Sequence, residues 1–377
     1  MTVVHGSYQE RFSGVRDVLS STVDSGLDVG AAIAVYIDGE PAVDIWGGHT
    51  DLARTRPWHE DSITIVWSVA KTMTTMCALV LADRGELDFD APVARYWPEF
   101  AEAGKGAVTV GQVLSHSAGL PDWDEPLTVD DLFDWSKATA PLARQAPRWE
   151  PGTASGYHAL TQGYLIGEVV RRVYGRSIGA YFAEEIAGPL RADFRFTLPA
   201  DQHHRLSRII EHTEPRDAAT AGHTPPLRTL FAPRESWTPA WLAAEIPAVA
   251  GYGNARSVAA IQSVLACGGM ARGVRLMSEE TARSTLREWT NGRDLILGAP
   301  MRFGAGFALN SPDIALLPNP NTVWWDGWGG SLVVVDFDAR MAIAYVVNHM
   351  RSREYVIGDK RGMEVLRAVY SALGHRT

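Results

Sequence analysis

The sequence has few cysteines and no long apolar segment. Its 377 residues include two cysteines, Cys77 and Cys267, too few for a disulfide scaffold or a cysteine-rich zinc site. No segment approaches the roughly 18–20 charge-free apolar residues that a membrane-spanning helix needs. The first residues also lack the basic and then apolar pattern of a secretory signal. We therefore expect a cytoplasmic protein with no membrane partner.

Basic residues are outnumbered by acidic ones, and the usual cofactor motifs are missing. The chain has 35 Lys and Arg against 44 Asp and Glu, a formal net charge of −9, which argues against nucleic acid as a main partner. Neither a His-Glu-x-x-His metal motif nor a glycine-rich phosphate-binding pattern occurs, so we expect no metal and no cofactor. Hydrophobic residues make up 46% of the chain, which allows a large core and excludes general disorder.

Strand patterns occur near both ends of the chain, and helical patterns lie between them. The segment Gly30–Gly48 predicts a β-hairpin, because two β-rich runs flank the turn dipeptide Asp38-Gly39. A helical pattern begins at Ser68 and ends near Gly85. The remaining patterns predict a helix at Gln162–Tyr174, an irregular stretch at Pro215–Pro247, strands at Phe303–Leu309, Ser331–Asp336 and Met341–Val347, and a closing helix at Met363–Leu373.

This distribution predicts one sheet that both chain ends build together, and a second, mostly helical lobe. We expect the sheet domain to comprise residues 1–67 and 248–377, and the helical domain to comprise residues 68–247. A cleft between two lobes is a common place for a ligand. We therefore expect the functional site between them.

The strongest chemical signal is an S-x-x-K motif formed by Ser68 and Lys71, where a strand pattern changes to a helical one. Residues three apart share one face of a helix, so the lysine amine can approach the serine hydroxyl. If burial lowers the pKa of the lysine, its amine can take the hydroxyl proton and make the serine a nucleophile. The motif also occurs by chance in long chains, and its place at the start of a helix, whose N–H groups favour an oxyanion, sets this one apart.

Two further segments carry groups that suit such a nucleophile. Tyr157 comes just before a predicted helix, where its hydroxyl could pass a proton to a leaving group. The segment Trp324–Ser331 combines tryptophans with glycines ahead of a strand, and glycines let a ligand approach the backbone closely. An N–H group there could complete an oxyanion hole with that of Ser68. The alternatives are a core tyrosine and a glycine-rich turn with aromatic core residues.

The order of these motifs resembles that of a known superfamily. Ser68–Lys71, then Tyr157, then a glycine-rich element before a C-terminal strand is similar to the serine β-lactamases and penicillin-binding proteins. The segments Val113–Leu120 and Trp149–Thr153 match further motifs of the class C β-lactamase branch, and the set resembles its family VIII carboxylesterases over most of the chain. The resemblance implies an α/β (α+β) fold with an antiparallel sheet built by both chain ends and flanked by helices.

Two departures from the class C pattern bear on the substrate. Class C β-lactamases carry Tyr-x-Asn, whereas Ala159 stands at the third position here. They also carry Lys-Thr-Gly before the last strands, and this sequence offers Trp325-Asp326-Gly327 or, in a second alignment, Trp328-Gly329-Gly330. Either alignment loses the cation that binds a substrate carboxylate and gains an apolar wall. The second oxyanion donor is then the N–H of Trp328 in the first alignment or of Ser331 in the second.

Seven residues are candidates for the surroundings of the site. By the resemblance, Trp123 matches a residue of the cleft wall, and Tyr252 is a candidate for the opposite wall. We expect Trp325, Asp326 and Gly327 to contact the substrate as well. His116 and Asn348 are candidates for a supporting role behind the residues that touch the substrate.

The sequence and the resemblance together predict a serine carboxylesterase. Ser68 would attack the ester carbonyl, Lys71 and Tyr157 would act as general bases, and a small-molecule ester with apolar parts would be the partner. A β-lactamase, an amidase, a D-aminopeptidase or an acyltransferase would use the same residues. A binding protein without catalysis is a more remote alternative, since none of the three residues is missing. The natural ester and the oligomeric state stay open.

Overall fold

The computed structural model describes residues 2–211, 230–312, 317–351 and 356–375. Residues 215–229 of the predicted irregular stretch Pro215–Pro247 lie outside these ranges, and the described remainder contains a 3₁₀ turn, Pro233–Trp237, and a short helix, Pro239–Ala243. The strands are β1 (Val4–Tyr8), β2 (Gly30–Ile37), β3 (Glu40–Gly48), β4 (Thr64–Ile65), β5 (Phe194–Arg195), β6 (Tyr252–Gly253), β7 (Met270–Ala271), β8 (Val274–Arg275), β9 (Thr290–Arg293), β10 (Pro300–Phe303), β11 (Ala308–Leu309), β12 (Thr322–Asp326), β13 (Leu332–Asp336) and β14 (Met341–Val347).

The α-helices within the described ranges alternate with short 3₁₀ turns. They are α1 (Ser13–Asp24), α2 (Ala70–Asp83), α3 (Val110–Leu114), α4 (Trp135–Arg144), α5 (Thr161–Tyr174), α6 (Ile178–Phe182), α7 (Gly188–Leu190), α8 (Pro239–Ala243), α9 (Ala255–Ala266), α10 (Glu279–Arg283) and α11 (Lys360–Ala372). None of the helices in these ranges combines the length and the apolar character that a bilayer crossing requires.

One nine-stranded antiparallel sheet forms the centre of the structure, in the order β1-β3-β2-β14-β13-β12-β11-β10-β9. The N-terminal hairpin meets the C-terminal strands where β2 pairs with β14, with Val35 opposite Ile343. This arrangement confirms the predicted sheet that both chain ends build. The hairpin turn at Asp38 and Gly39 is also confirmed, and both residues have positive φ angles, as a tight hairpin turn requires.

Helices cover the sheet on both of its faces. Successive residues of a strand point to opposite faces, and all seven residues of β14 are buried. Helix α9 packs against β14, β2 and β13, while α1 and α11 pack against each other beside the N-terminal strands. The segments between β4 and β6 form the mostly helical part of the chain, with α2 and α5 in contact. The first turn of α2 and the segment before α5 therefore come close together.

Some predicted elements differ from those observed, each for a local reason. The predicted strand Phe303–Leu309 is wrong as one element: it divides into β10 and β11, because the backbone turns at Gly306, whose φ is +73°. The predicted helix starting at Ser68 begins as a 3₁₀ turn, Trp67–Val69, and becomes α-helical at Ala70. The predicted glycine-rich segment Trp324–Ser331 begins within a strand, since Trp324 to Asp326 belong to β12, which pairs with β13 on one side and β11 on the other.

We expect the pairing of β2 with β14, and the packing around it, to be a main source of stability. Replacing Ile343, which is fully buried in β14, by alanine should lower the free energy of unfolding by about 2–5 kcal/mol, because it leaves a cavity. The matched control is Leu52→Ala, since Leu52 is 66% exposed and its truncation should cost less than about 0.5 kcal/mol. Urea unfolding of both variants measures the difference, and equal losses would contradict the prediction.

Candidate active site

Ser68 lies at the turn that links β4 to α2. The residue before it, Trp67, has a φ of +50°, a left-handed backbone that a bulky residue adopts only where its surroundings hold it. Its buried ring packs against Trp328 and Phe231, with ring centroids 5.1 and 6.1 Å away. The constrained turn thereby directs Ser68, which is 5% exposed, away from the helix axis and toward the neighbouring segments.

Lys71 is one turn after Ser68 and is almost fully buried. Its Nζ lies 3.1 Å from Ser68 Oγ, 2.7 Å from the carbonyl oxygen of Ala159 and 2.9 Å from that of Ala248. Burial lowers the pKa of Lys71 well below its usual value, and the negative charge of Asp326 opposes this shift only in part. A neutral amine has two N–H bonds and one lone pair. If the two carbonyls accept the N–H bonds, the lone pair points at Ser68 Oγ.

Tyr157 approaches the same oxygen from the other side. Its hydroxyl donates to Ser68 Oγ over 2.7 Å, and the Lys71 amine lies 4.9 Å from the centroid of its ring. The structure thus brings together Ser68, Lys71 and Tyr157, the three residues that the sequence analysis predicts to be catalytic. A serine oxygen that contacts both a neutral amine and a phenol can lose its proton to one and receive a proton from the other.

The backbone of Tyr157 is held by a carboxylate that the sequence reasoning missed. Asp294, in the loop between β9 and β10, is fully buried, and its Oδ1 accepts hydrogen bonds from the N–H groups of Tyr157, Ile296 and Leu297 at 2.8–3.1 Å. Its Oδ2 has no hydrogen-bond partner among the described residues. No local signal marks this aspartate, because its partner lies 137 positions away.

Two buried histidines support Tyr157. His116 contacts the Tyr157 ring edge-on with centroids 4.9 Å apart, and its Nδ1 accepts from the backbone N–H of His158. Burial lowers the pKa of His116 well below its usual value and that of His158 to about 3. Both imidazoles are therefore neutral near pH 7. This placement agrees with the supporting position expected of His116, whereas the sequence reasoning gave no role to His158.

The turn after β12 lies directly against the nucleophile segment. The N–H of Gly327 donates to the carbonyl of Ser331 and closes the turn. A Cβ atom at Gly327 would lie 2.3 Å from the carbonyl oxygen of Val66, so only glycine permits this approach. Trp328, the candidate oxyanion donor, follows at once, and its ring contacts Trp67. The candidate donor and Ser68 are thus attached to segments that touch.

The neighbouring residues of this turn have different surroundings. The Trp325 ring lies 5.3 Å from the Tyr157 ring and is buried, as the first alignment of the motif requires of a wall residue. Asp326 is buried too, and its Oδ2 accepts from the N–H of Gly358 rather than facing an open cleft. Ser331, the donor of the second alignment, uses its hydroxyl to accept from the backbone of β14.

The two predicted wall residues are buried in contacts of their own. The Trp123 indole donates to the carbonyl of Ala138 and packs edge-on against Tyr164. Tyr252 lies in β6 opposite Ile65 and is 1% exposed. These contacts place both residues around the nucleophile segment and α5. Their roles in binding substrate stay predictions.

Asn348, the other predicted supporting residue, joins segments that are distant in the chain. Its side chain accepts from the N–H of Gly30 and donates to the carbonyl of His49 and the hydroxyl of Ser207. These bonds hold the ends of β2, β3 and β14 together. Its contribution to catalysis stays a prediction.

The fold and the meeting of a serine, a lysine and a tyrosine at one oxygen place the protein among the serine hydrolases of the β-lactamase and esterase superfamily. A model of the family named Beta-lactamase matches residues 19–367. The esterase/β-lactamase LipL of Mycobacterium tuberculosis is 36% identical over 371 residues, covering 93% of this chain and 84% of LipL. The chain therefore belongs to the β-lactamase family.

Solved structures agree with this assignment. A crystal structure of a family VIII carboxylesterase is 39% identical in sequence, with a TM-score of 0.91 over 98% of this chain and 100% of that chain. A penicillin-binding-protein homologue from Caulobacter crescentus is 35% identical, with a TM-score of 0.90 and the same coverage. The expected antiparallel sheet with flanking helices is thus confirmed.

We predict that Asp294 sets the position of Tyr157. Asp294→Ala should lower kcat about tenfold or more, because the Tyr157 backbone loses its acceptor and about 1 Å of misplacement can cost 10²-fold. It should also reduce stability, since buried N–H groups are left unpaired. Asp294→Asn keeps an acceptor oxygen and should retain most of the activity. Steady-state kinetics of both variants provide the measurement, and an unchanged kcat in Asp294→Ala would refute the role.

We also predict an acidic limb in the pH profile that Lys71 controls. A general base acts in its deprotonated form, so kcat/KM should fall as the pH drops through the lowered pKa of Lys71. Lys71→Arg should lose about 10²–10⁴ in kcat at every pH, because a guanidinium stays protonated. Lys105→Arg is the matched control: Lys105 is also buried with its amine on two backbone carbonyls, Glu102 and Gln145, but lies outside the site. Equal losses in both variants would show that burial alone, and not proton transfer, explains the effect.

Proposed function

We propose that the protein is a serine carboxylesterase that hydrolyses small to medium, apolar carboxylic esters through an acyl-enzyme on Ser68. The observation that carries the proposal is the shared contact of Ser68 Oγ with the Lys71 amine and the Tyr157 hydroxyl. Nucleophile and base within hydrogen-bond reach are the signature of covalent catalysis. The esterase relatives support the same reaction class.

Acylation would use the lowered pKa of Lys71. Ser68 Oγ adds to the ester carbonyl carbon, and its proton passes to the neutral amine of Lys71. The carbonyl oxygen becomes an oxyanion, which the N–H groups of Ser68 and Trp328 would stabilise. The bond from carbon to the alcohol oxygen then breaks. Tyr157 gives its proton to the departing alkoxide and recovers one from Lys71.

Deacylation would repeat these steps with water as the nucleophile. A water molecule adds to the acyl carbon while its proton passes to the neutral amine of Lys71, and the bond from carbon to Ser68 Oγ then breaks. Ser68 Oγ takes this proton back from Lys71, and the carboxylic acid leaves. The neutral state of His116 and His158 suits this cycle, because neither imidazole adds a positive charge near Tyr157 that would oppose protonation of Lys71.

The character of the walls favours a neutral ester over a charged amide substrate. Trp325 and Trp328 occupy the turn where class C β-lactamases would place a lysine, and they belong to aromatic groups around Ser68 and Tyr157. Apolar aromatic walls favour apolar acyl or alcohol parts. Benzylpenicillin, which carries a carboxylate, should therefore be turned over less efficiently than a neutral ester.

The test is hydrolysis of p-nitrophenyl butyrate by the wild type and by Ser68→Ala. We expect activity in the wild type and a loss of about 10³-fold or more in the variant, because the nucleophile is gone. Ser263→Ala is the matched control, since this buried serine of α9 bonds only to its own helix and should stay active. Full activity in Ser68→Ala would refute the mechanism, and a higher kcat/KM for benzylpenicillin than for the ester would refute the substrate class.

A further inference from the structure

A buried arginine lies directly behind the turn that carries Trp328. Arg361 belongs to the first turn of α11 and is 1% exposed. Its Nη2 donates to the carbonyl oxygen of Gly329 over 2.7 Å and to Asp359 Oδ2 over 2.6 Å, while its Nη1 donates to Asp28 Oδ1 over 2.7 Å. Nη1 also donates to the carbonyls of His349, over 2.8 Å, and Leu27, over 3.4 Å, and Nε donates to Asp359 Oδ1 over 3.0 Å. The guanidinium thus joins two buried carboxylates to three backbone carbonyls, one of which belongs to Gly329, the residue after Trp328.

The turn is therefore held from two opposite sides. On one side Gly327 presses against the carbonyl of Val66, two residues before Ser68. On the other side the turn lies on the guanidinium, since a Cβ atom at Gly330 would lie 2.3 Å from Arg361 Nη2. The N–H of Arg351 also donates to the Gly329 carbonyl, over 3.1 Å. These contacts hold the turn between the segment of Ser68 and Arg361.

The cluster of Arg361, Asp28 and Asp359 is better suited to positioning the turn than to stabilising the fold. Burying ions is costly, and a buried ion group can often be replaced by apolar residues without loss of stability. What an apolar group cannot supply is direction: a guanidinium offers several donors in one fixed plane. Here Asp28 and Asp359 orient the plane, and one N–H of Nη2 is thereby directed at the carbonyl of Gly329. The phenol of Tyr345 donates to Asp28 Oδ2 over 2.5 Å, at the end of the cluster away from the turn.

We infer that Arg361 is a positioning residue for the oxyanion hole: through the Gly329 carbonyl it holds the turn so that the N–H of Trp328 meets the substrate oxygen at Ser68. The inference rests on the proposed function, because it assumes that an oxyanion forms beside Ser68. Arg361 touches neither substrate nor nucleophile in this role. Arg361 would affect the reaction indirectly, through the positions of the Gly329 carbonyl and the Trp328 N–H.

The experiment separates oxyanion binding from ordinary substrate binding. An alkyl trifluoromethyl ketone adds to the serine and places an oxyanion in the hole, whereas the corresponding trifluoromethyl carbinol has the same shape and forms no such adduct. The inhibition constants of both compounds are measured for the wild type, Arg361→Lys and Tyr345→Phe. Arg361→Lys keeps the charge but loses the planar fork. Tyr345→Phe is the matched control, because it removes a bond of the same cluster that does not touch the turn.

We expect Arg361→Lys to raise the inhibition constant of the ketone about tenfold or more, since loss of one oxyanion donor costs about 10²–10³ and misplacement a part of that. The constant of the carbinol should change less than about twofold, and Tyr345→Phe should change neither. Equal increases for ketone and carbinol in Arg361→Lys, or equal effects in both variants, would overturn the inference. Thermal unfolding of each variant shows whether the folded state is retained.

A second variant covers the case in which Arg361→Lys does not fold. Asp359→Asn keeps the shape and the helix-capping ability of the residue, because asparagine caps helices as well as aspartate does. It removes one of the charges that orient the guanidinium, so a smaller rise in the ketone constant is expected, again without change for the carbinol. A wild type without activity that depends on Ser68 would refute the proposed function itself, whereas an active wild type with an unchanged ketone constant in Asp359→Asn would refute only the role of Arg361.

Discussion

The burial of one amine is the constraint on which the site depends. Lys71 has its Nζ within hydrogen-bond distance of two backbone carbonyls and one serine oxygen, in a place with almost no contact with solvent. The carbonyls come from Ala159, just before α5, and from Ala248, just before β6. The loops of the helical part and of the sheet part must therefore both be in place before the amine is held. The fold creates the reactive state of Lys71 by removing water from it.

Burial of the Lys71 amine is unfavourable for stability, but it produces the lowered pKa that the proposed reaction uses. An exposed lysine carries a full charge at pH 7, and water stabilises that charge. Burial removes part of this solvation, which lowers the pKa of Lys71. The charges of the groups around the amine determine how far its pKa is lowered. His116 and His158 are neutral, and the Asp326 charge raises the pKa of Lys71 without restoring it. A strained Trp67 backbone and a close contact at Gly327 belong to the same pattern, since strain concentrates where function requires a fixed geometry.

The sequence predicts those parts of the site that local patterns encode. Ser68 and Lys71 share a helix face, and the hairpin of β2 and β3 follows from its turn residues and its β-rich runs, so these features were predictable. The meeting of Tyr157 with Ser68 was anticipated from the order of motifs. Asp294 and Arg361 were not, because a buried carboxylate or guanidinium has no local signature. Their partners are fixed by packing between segments that are distant in the chain.

The pairing of β2 with β14 has a consequence for how the protein is made. Gly30 and Asn348, which are joined by a hydrogen bond at the end of this seam, are 318 positions apart. During synthesis, β2 must wait for its partner strand until the 318 positions from Gly30 to Asn348 have been made, at about 5–20 residues per second. For that interval the apolar faces of β2 and β3 lack their final neighbour. A chain that ends before Met341 would leave the hydrogen-bonding edge of β2 without its partner strand.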